Sequence, residues 1–226
     1  MNHFEEELES LKTDFIQMWE LVSAQMKTSA RALATVDEAL AREIIQNEKK
    51  VNEYELAIEK QCENIIALYN PVAIDLRFVL ALIKINNNLE RIGDIATRVS
   101  KFVLKYGDPF YNELINKTHA LGMFEEACDL LDDAMIAFKT NDSHKARNIF
   151  KRDEYINDLN KTAFLSIIDS MKENPAEIEK YLKMLSLLRR IEKAGDISKN
   201  IAEEIIFYIE AKVTRHKQYK KGNQPN

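Results

Sequence analysis

Carboxylates recur in this sequence as pairs at helical spacing, and such pairs can bind a cation. Glu90 precedes Asp94 by four residues, and Glu192 precedes Asp196 by the same spacing. On a helix, residues four apart project from one face, so each pair would present two oxygen-rich groups side by side. Like charges at that spacing repel, and a multivalent cation held by hard oxygen ligands would offset the repulsion. The spacing therefore predicts metal sites.

Two weaker pairs lie upstream of these, where acidic residues interrupt an apolar stripe. Each consists of an acid followed four residues later by Asn, whose amide oxygen carries no charge and is the weaker ligand. Oxygen-only sites suit Mg, Ca, Mn or oxidised iron better than Zn or Cu. The predicted metal ligands are Glu48, Asn52, Glu90, Asp94, Asp153, Asn157, Glu192 and Asp196.

Long amphipathic helices are needed to position these groups. The chain has only 5 Gly and 4 Pro, too few for the turns of a sheet protein. Apolar residues instead recur at steps of three and four, which is typical of amphipathic helices. Six helices are predicted, spanning 4–33, 37–69 with Asp37 as N-cap, from after Pro71 to 105, 111–139, 142–172 and 175–212.

The two halves of the chain repeat. ERIGDIATRVS at 90–100 matches EKAGDISKNIA at 192–202, and DEALAREII at 37–45 matches DSHKARNIF at 142–150. The first match places Gly93 and Gly195 at equivalent mid-helix positions. Glycine costs about 1 kcal/mol there relative to alanine, which indicates that another backbone or a ligand approaches closely.

The repeat predicts an all-α protein of two tandem three-helix bundles, side by side about an approximate two-fold axis. Each helix would be about 45 Å long and would bury its apolar stripe against two antiparallel neighbours. The first repeat covers residues 1–106 and the second 107–215, and 216–226 form a basic tail that we expect to be disordered.

Helix lengths also predict which polar pairs face each other. Glu48 lies about 22 residues before the joint at 69–71 and Glu90 about 20 residues after it, so antiparallel helices would bring both to a similar height. We therefore expect Glu48 and Asn52 to face Glu90 and Asp94. The same count places Asp153 and Asn157 opposite Glu192 and Asp196.

Several other functional classes lack their characteristic residues. The net charge of −5 offers no basic surface for sequence-independent nucleic-acid binding outside the short tail. The longest uncharged stretch, 64–74, is too short to span a bilayer. Cys62 and Cys128 lie on apolar stripes, as buried reduced thiols of a cytosolic protein would. The glycines form no phosphate-binding loop, and no histidine follows an acid at the Glu-x-x-His spacing of di-iron helical bundles.

The segments NPVAIDLRFVLALIKINNNLERIGDIATRV at 70–99 and RRIEKAGDISKNIAEEIIFY at 189–208 resemble the PhoU family, bacterial regulators of phosphate uptake. The resemblance covers about residues 4–216. It implies two tandem three-helix bundles with Glu/Asp-x-x-x-Asp motifs and, as in some members, multinuclear iron or other metal clusters on the bundle surface. The motif positions are the eight residues named above, and Asn52, Asn157 and Lys193 depart from the family pattern.

The resemblance also implies a non-enzymatic role. Such proteins lower phosphate import through the Pst-type ABC transporter and help keep the phosphate-sensing histidine kinase off when phosphate is plentiful. By this resemblance the chain would be a cytoplasmic homodimer that meets the membrane only through its partners. The residues themselves indicate only a rigid helical adaptor with acidic cation sites. A carboxylate-bridged metalloenzyme of the helical-bundle type, and a helical scaffold with solvated acids, remain alternatives.

Overall fold

The computed structural model describes residues 3–211 of the chain, and all regular structure in that range is helical. Three helices pack against one another in each half, so the predicted all-α class and its two three-helix bundles are confirmed. The domain limits at 106 and 215 stay a prediction, and the basic tail at 216–226 lies outside the described range. The helices are α1 (His3–Thr35), α2 (Glu38–Tyr69), α3 (Ala73–Tyr106), α4 (Pro109–Lys117), α5 (Ala120–Thr140), α6 (Ser143–Glu173) and α7 (Ile178–Glu210), with a 3₁₀ turn at Pro175–Glu177.

Side-chain caps start the second helix of each bundle where the sequence predicts them. The backbone N–H groups of Ala39 and Leu40 donate to Asp37 Oδ1 at 2.9 and 3.0 Å. Asp142 caps α6 in the same way, accepting from the Lys145 N–H at 2.9 Å. Each cap satisfies backbone donors that have no partner inside the helix, and this fixes the register of α2 and α6.

The prediction of one continuous helix over 111–139 is wrong. The chain leaves the helix at Thr118 and His119, and His119 adopts a left-handed conformation with φ of 53°. The buried stripe explains the break. A helix that buries Tyr111 and Thr118 would next bury position 122, yet Gly122 is exposed and Ala120 is buried instead. The break rotates α5 so that its own apolar stripe faces the core.

The two bundles share one core, because equivalent helices pair across the junction. α3 packs on α7, and α1 packs on α5. The ring of Phe138 lies 5.2 Å from that of Phe15, 5.6 Å from that of Trp19 and 5.9 Å from that of Tyr208. Trp19 is fully buried, as its place on an apolar stripe predicts. Pairing of like helices with like is what an approximate two-fold axis requires.

α3 and α7 run antiparallel at the centre of the molecule, with Lys84 near the start of α3 beside Glu204 near the end of α7. This arrangement brings the Gly-Asp-Ile segments of both repeats to the middle of the junction. Between residues 3 and 211, none of the helices has the length and hydropathy needed to cross a membrane.

Candidate functional site

The first candidate cluster lies between α2 and α3, around the level at which Gly93 packs against Val51. A Cβ added to Gly93 would lie 3.2 Å from Val51 Cγ1, so the two helices approach closely at this level. Burial raises the pKa of the Glu90 carboxyl, and the negative charges of Asp94, Glu55 and Glu48 raise it further. Carboxylates of both helices therefore act on Glu90 electrostatically, and Arg91 opposes them.

Glu55 is a member of this cluster that the motif spacing does not single out. Its pKa is raised, first by burial and then by the nearby charge of Glu59. Glu55 is partly buried, whereas Asn52, the predicted ligand one turn after Glu48, is exposed. The α2 positions that face α3 include 48, 51 and 55, at steps of three and four residues. This periodicity is the sequence pattern from which Glu55 could have been predicted.

Two cations lie at the edge of the first cluster. Lys101 Nζ is 3.7 Å from Glu48 Oε2, and Arg98 donates to Asp94 Oδ2 at 3.4 Å. Both basic side chains are more than half exposed. Water screens such pairs, so they offset only part of the repulsion among the carboxylates.

The second candidate cluster lies between α6 and α7, and a lysine ammonium bridges its two helices. Lys199 Nζ donates to Asp153 Oδ2 at 2.5 Å and to Asp196 Oδ1 at 3.2 Å. Asp153 is almost fully buried, and Asn157 Nδ2 donates to the same Oδ2 at 3.4 Å. Asp153 on α6 and Asp196 on α7 therefore lie opposite each other as predicted, with Lys199 between them, whereas the facing of Asn157 and Glu192 stays a prediction.

Charge at the second cluster is partly balanced by lysines. Burial alone would raise the pKa of Asp196, but hydrogen bonds from Lys193 and Lys199 bring it below its ordinary value. Burial disfavours the Lys199 ammonium, yet Asp153 and Asp196 together raise the pKa of this lysine. The pKa of Glu192 is raised by burial and by the charge of Asp196. Sequence spacing did not indicate the role of Lys199, because a long side chain reaches across helices.

The oxygen ligands of the first cluster are of the kind that bind a hard cation. Burial and repulsion by neighbouring carboxylates both disfavour the charged form of Glu90, which a cation would stabilise. No three or more His, Cys, Asp or Glu side chains within residues 3–211 converge closely enough to hold an ion. Metal binding at the eight predicted residues therefore stays a prediction.

A basic groove lies between the two clusters, along the α3–α7 junction. We define it by Arg91, Arg98, Arg189, Arg190 and Lys193, which line a cavity of about 660 Å³ together with the carboxylates of Asp94 and Glu192. The cavity continues toward Lys101, Lys105 and Lys183. Neither Arg189 nor Arg190 forms an ion pair with any side chain in the described range. The seven-residue spacing of Arg91, Arg98 and Lys105 was the available sequence signal for this surface.

Known proteins resemble this chain over nearly its whole length. The family model described as PhoU domain matches residues 15–103 and 121–205. The phosphate-specific transport system accessory protein PhoU of Escherichia coli K12 is 32% identical over 213 residues, covering 94% of this chain and 88% of that protein. The corresponding homolog 1 of Thermotoga maritima is 32% identical over 212 residues, covering 92% and 89%.

Solved structures resemble it equally well. The crystal structure of PhoU from Pseudomonas aeruginosa superposes with a TM-score of 0.84 and 27% sequence identity, covering 93% of this chain and all of that one. The phosphate transport system regulatory protein PhoU from Streptococcus pneumoniae gives a TM-score of 0.83 at 27% identity, covering 93% of this chain and 99% of that one.

Proposed function

The chain belongs to the PhoU family, and from this we propose that it is an accessory protein of a phosphate-specific transport system that lowers phosphate uptake when phosphate is plentiful. The observation that carries the proposal is the match of both repeats to the PhoU domain, at 15–103 and 121–205. Relatives named as accessory or regulatory proteins of phosphate transport support a non-enzymatic role.

We propose two protein partners, the Pst-type ABC transporter and the phosphate-sensing histidine kinase. The basic groove is the surface we assign to them, because two of its arginines, Arg189 and Arg190, are available to acidic side chains of a partner. Arg189 is exposed and, like Arg190, has no ion-pair partner among the described side chains. The chain would act in the cytoplasm and reach the membrane through these partners.

We propose that the first cluster binds a hard metal ion, iron or one of Mg, Mn and Ca. Glu48, Glu90 and Asp94 would hold it, with Glu55 as the added carboxylate and Asn52 as the weaker predicted ligand. A bound cation would neutralise carboxylates that now repel one another, and it would tie α2 to α3. The nearby carboxylates of Asp94, Glu55 and Glu48 support this proposal, since burial and their negative charges together raise the pKa of Glu90.

The decisive test of the regulatory role is deletion of the gene in its own bacterium. Phosphate uptake and alkaline phosphatase expression should both rise in phosphate-rich medium and return to normal on complementation. Unchanged values in rich and poor medium would contradict the proposal. We also propose a homodimer, for which light scattering should give about 52 kDa, twice the 26.2 kDa of one chain. A mass that stays near 26 kDa at high concentration would contradict the dimer.

A further inference from the structure

We propose that Lys199 is a built-in cation of the second cluster, so that metal binds at the first cluster alone. This inference rests on the metal site proposed for the first cluster and concerns what distinguishes the two repeats. The Lys199 ammonium connects Asp153 on α6 with Asp196 on α7. A shared metal ion would make the same connection between two carboxylate-bearing helices.

Burial makes this ammonium difficult to displace. The side chain of Asp153 is 3% exposed and that of Lys199 is 27% exposed, so water screens their attraction only weakly. An incoming metal ion would have to displace the Lys199 ammonium and lose part of its own hydration shell. It would also leave Lys199 beside a divalent charge in a partly buried site, which is strongly unfavourable.

The other carboxylate oxygen of Asp153, Oδ1, is enclosed by packing against α7. A Cβ added to Gly195 would lie 2.9 Å from Ile156 Cδ1 and 3.3 Å from Asp153 Oδ1, so this oxygen faces the backbone of α7 at close range. Gly195 thereby lets Asp153 approach α7 and reach Lys199. The second cluster is thus arranged around the lysine.

The first repeat has different residues at the positions equivalent to Lys199 and Asn160. The offset of 102 residues between the repeats in this segment places Thr97 where the second repeat has Lys199. Thr97 is buried, and its uncharged hydroxyl has no hydrogen-bond partner within the described part of the chain. The offset of 105 between α2 and α6 places Glu55 where the second repeat has Asn160.

The two clusters differ in the placement of their cations and by one carboxylate. The first cluster has four carboxylates, and its ion-paired cations, Arg98 at 3.4 Å from Asp94 and Lys101 at 3.7 Å from Glu48, are both more than half exposed. The second has three carboxylates, Asp153, Glu192 and Asp196, and two ammonium groups within hydrogen-bond distance of them. The second cluster therefore has a partly buried cation between its helices, although burial still raises the pKa of Asp153, whereas the cations of the first cluster lie in solvent.

Manganese content of the full-length protein tests the inference. After equilibration with Mn²⁺ and dialysis, elemental analysis of Glu90→Gln/Asp94→Asn should show at least a five-fold loss of bound metal relative to wild type. Asp153→Asn/Asp196→Asn should retain the wild-type content. Lys199→Thr, which copies the first repeat, should take up additional manganese, and its melting temperature should rise on adding Mn²⁺ by more than that of wild type.

Lys193→Thr is the matched control, because it removes the same charge from Asp196 without removing the bridge to α6. It should show wild-type metal content. Halving of the metal content in Asp153→Asn/Asp196→Asn would overturn the inference while leaving the first metal site in place, and this outcome does not depend on whether Lys199→Thr folds. Uptake by Lys199→Thr but none by wild type would refute the first metal site and still support the role of Lys199.

Discussion

Lys84 Nζ lies 3.2 Å from Glu204 Oε2, and this ion pair joins the first bundle to the second. The Glu204 side chain is only 4% exposed, whereas that of Lys84 is 43% exposed. A buried carboxylate that loses its cation keeps the cost of desolvation without the compensating attraction. Lys84 is therefore one of the side chains that hold the two bundles together at their junction.

We expect Lys84→Met to lower the free energy of unfolding by about 2 kcal/mol, below the range for fully buried pairs because Lys84 is half exposed. Urea denaturation followed by circular dichroism measures the change. Lys49→Met is the control, since Lys49 pairs with Glu53 at 3.6 Å on the exposed face of α2. It should cost less than about 0.5 kcal/mol. Equal effects of the two substitutions would contradict a structural role for the Lys84 pair.

Much of this fold is predictable from the sequence, because long stripes and N-cap residues are local signals. The break at His119 is not, since no Gly or Pro marks it and it depends on how α5 meets the shared core. Close approach at Gly93 and Gly195 was predictable, but the neighbours are the side chains of Val51 and Ile156 rather than a backbone.

The candidate site, too, was only partly predictable from the sequence. Helix lengths predict that Glu48 and Glu90 lie at one height. Val51 instead packs against Gly93, which places Glu48 and Glu90 on opposite sides of that level, about 9 Å apart along the helix axes. Motif spacing pointed to Asn52, although the seam follows the three-four step to Glu55. Lys199 could not be found from periodicity, because its head group lies far from its own Cα and reaches the buried carboxylate of a neighbouring helix.

Removing one charge from the first cluster should stabilise the metal-free protein. In the presence of EDTA, we expect Glu90→Gln to raise the free energy of unfolding by about 0.5 kcal/mol, because it relieves repulsion with Asp94, Glu48 and Glu55. Thermal and urea unfolding at pH 7 measure it. Glu63→Gln, on the exposed face of α2, should change stability by less than half as much. A destabilised Glu90→Gln protein in EDTA would argue against unrelieved repulsion.

Two glycines should respond in opposite ways to alanine. Gly122 is exposed on α5, and an added Cβ there meets nothing within 4 Å, so Gly122→Ala should stabilise the protein by about 0.5–1 kcal/mol through helix propensity. Gly195→Ala would place a Cβ 2.9 Å from Ile156 Cδ1, and it should be destabilising despite the same propensity gain. Melting temperatures compare them directly, and stabilisation by both would disprove the tight contact.

Both thiols should be unreactive in the folded protein. Burial raises the pKa of Cys62 and of Cys128 to about 12. At pH 9 only about one thiol in a thousand would then be ionised, against most of those in an unfolded chain. Iodoacetamide at pH 9 should therefore modify the native protein much more slowly than the urea-unfolded protein, as mass spectrometry can follow. The same shift makes folding less favourable as pH rises above about 8.5, because the unfolded thiols lose protons first.

The basic groove offers a test that separates partner binding from metal binding and folding. Arg189→Glu/Arg190→Glu reverses two charges that form no ion pair in the described structure, so the fold should be unchanged. Manganese content is measured alongside, because Asp94 lines the same groove. If acidic segments of a partner dock there, this variant should fail to restore normal alkaline phosphatase expression in a deletion strain, because repulsion replaces attraction at the contact. Lys49→Glu/Lys50→Glu carries the same charge change on two adjacent, exposed positions of α2 and should complement fully. Full complementation by the groove variant would assign the partner surface elsewhere, and failure of both variants would point to net charge rather than to the groove.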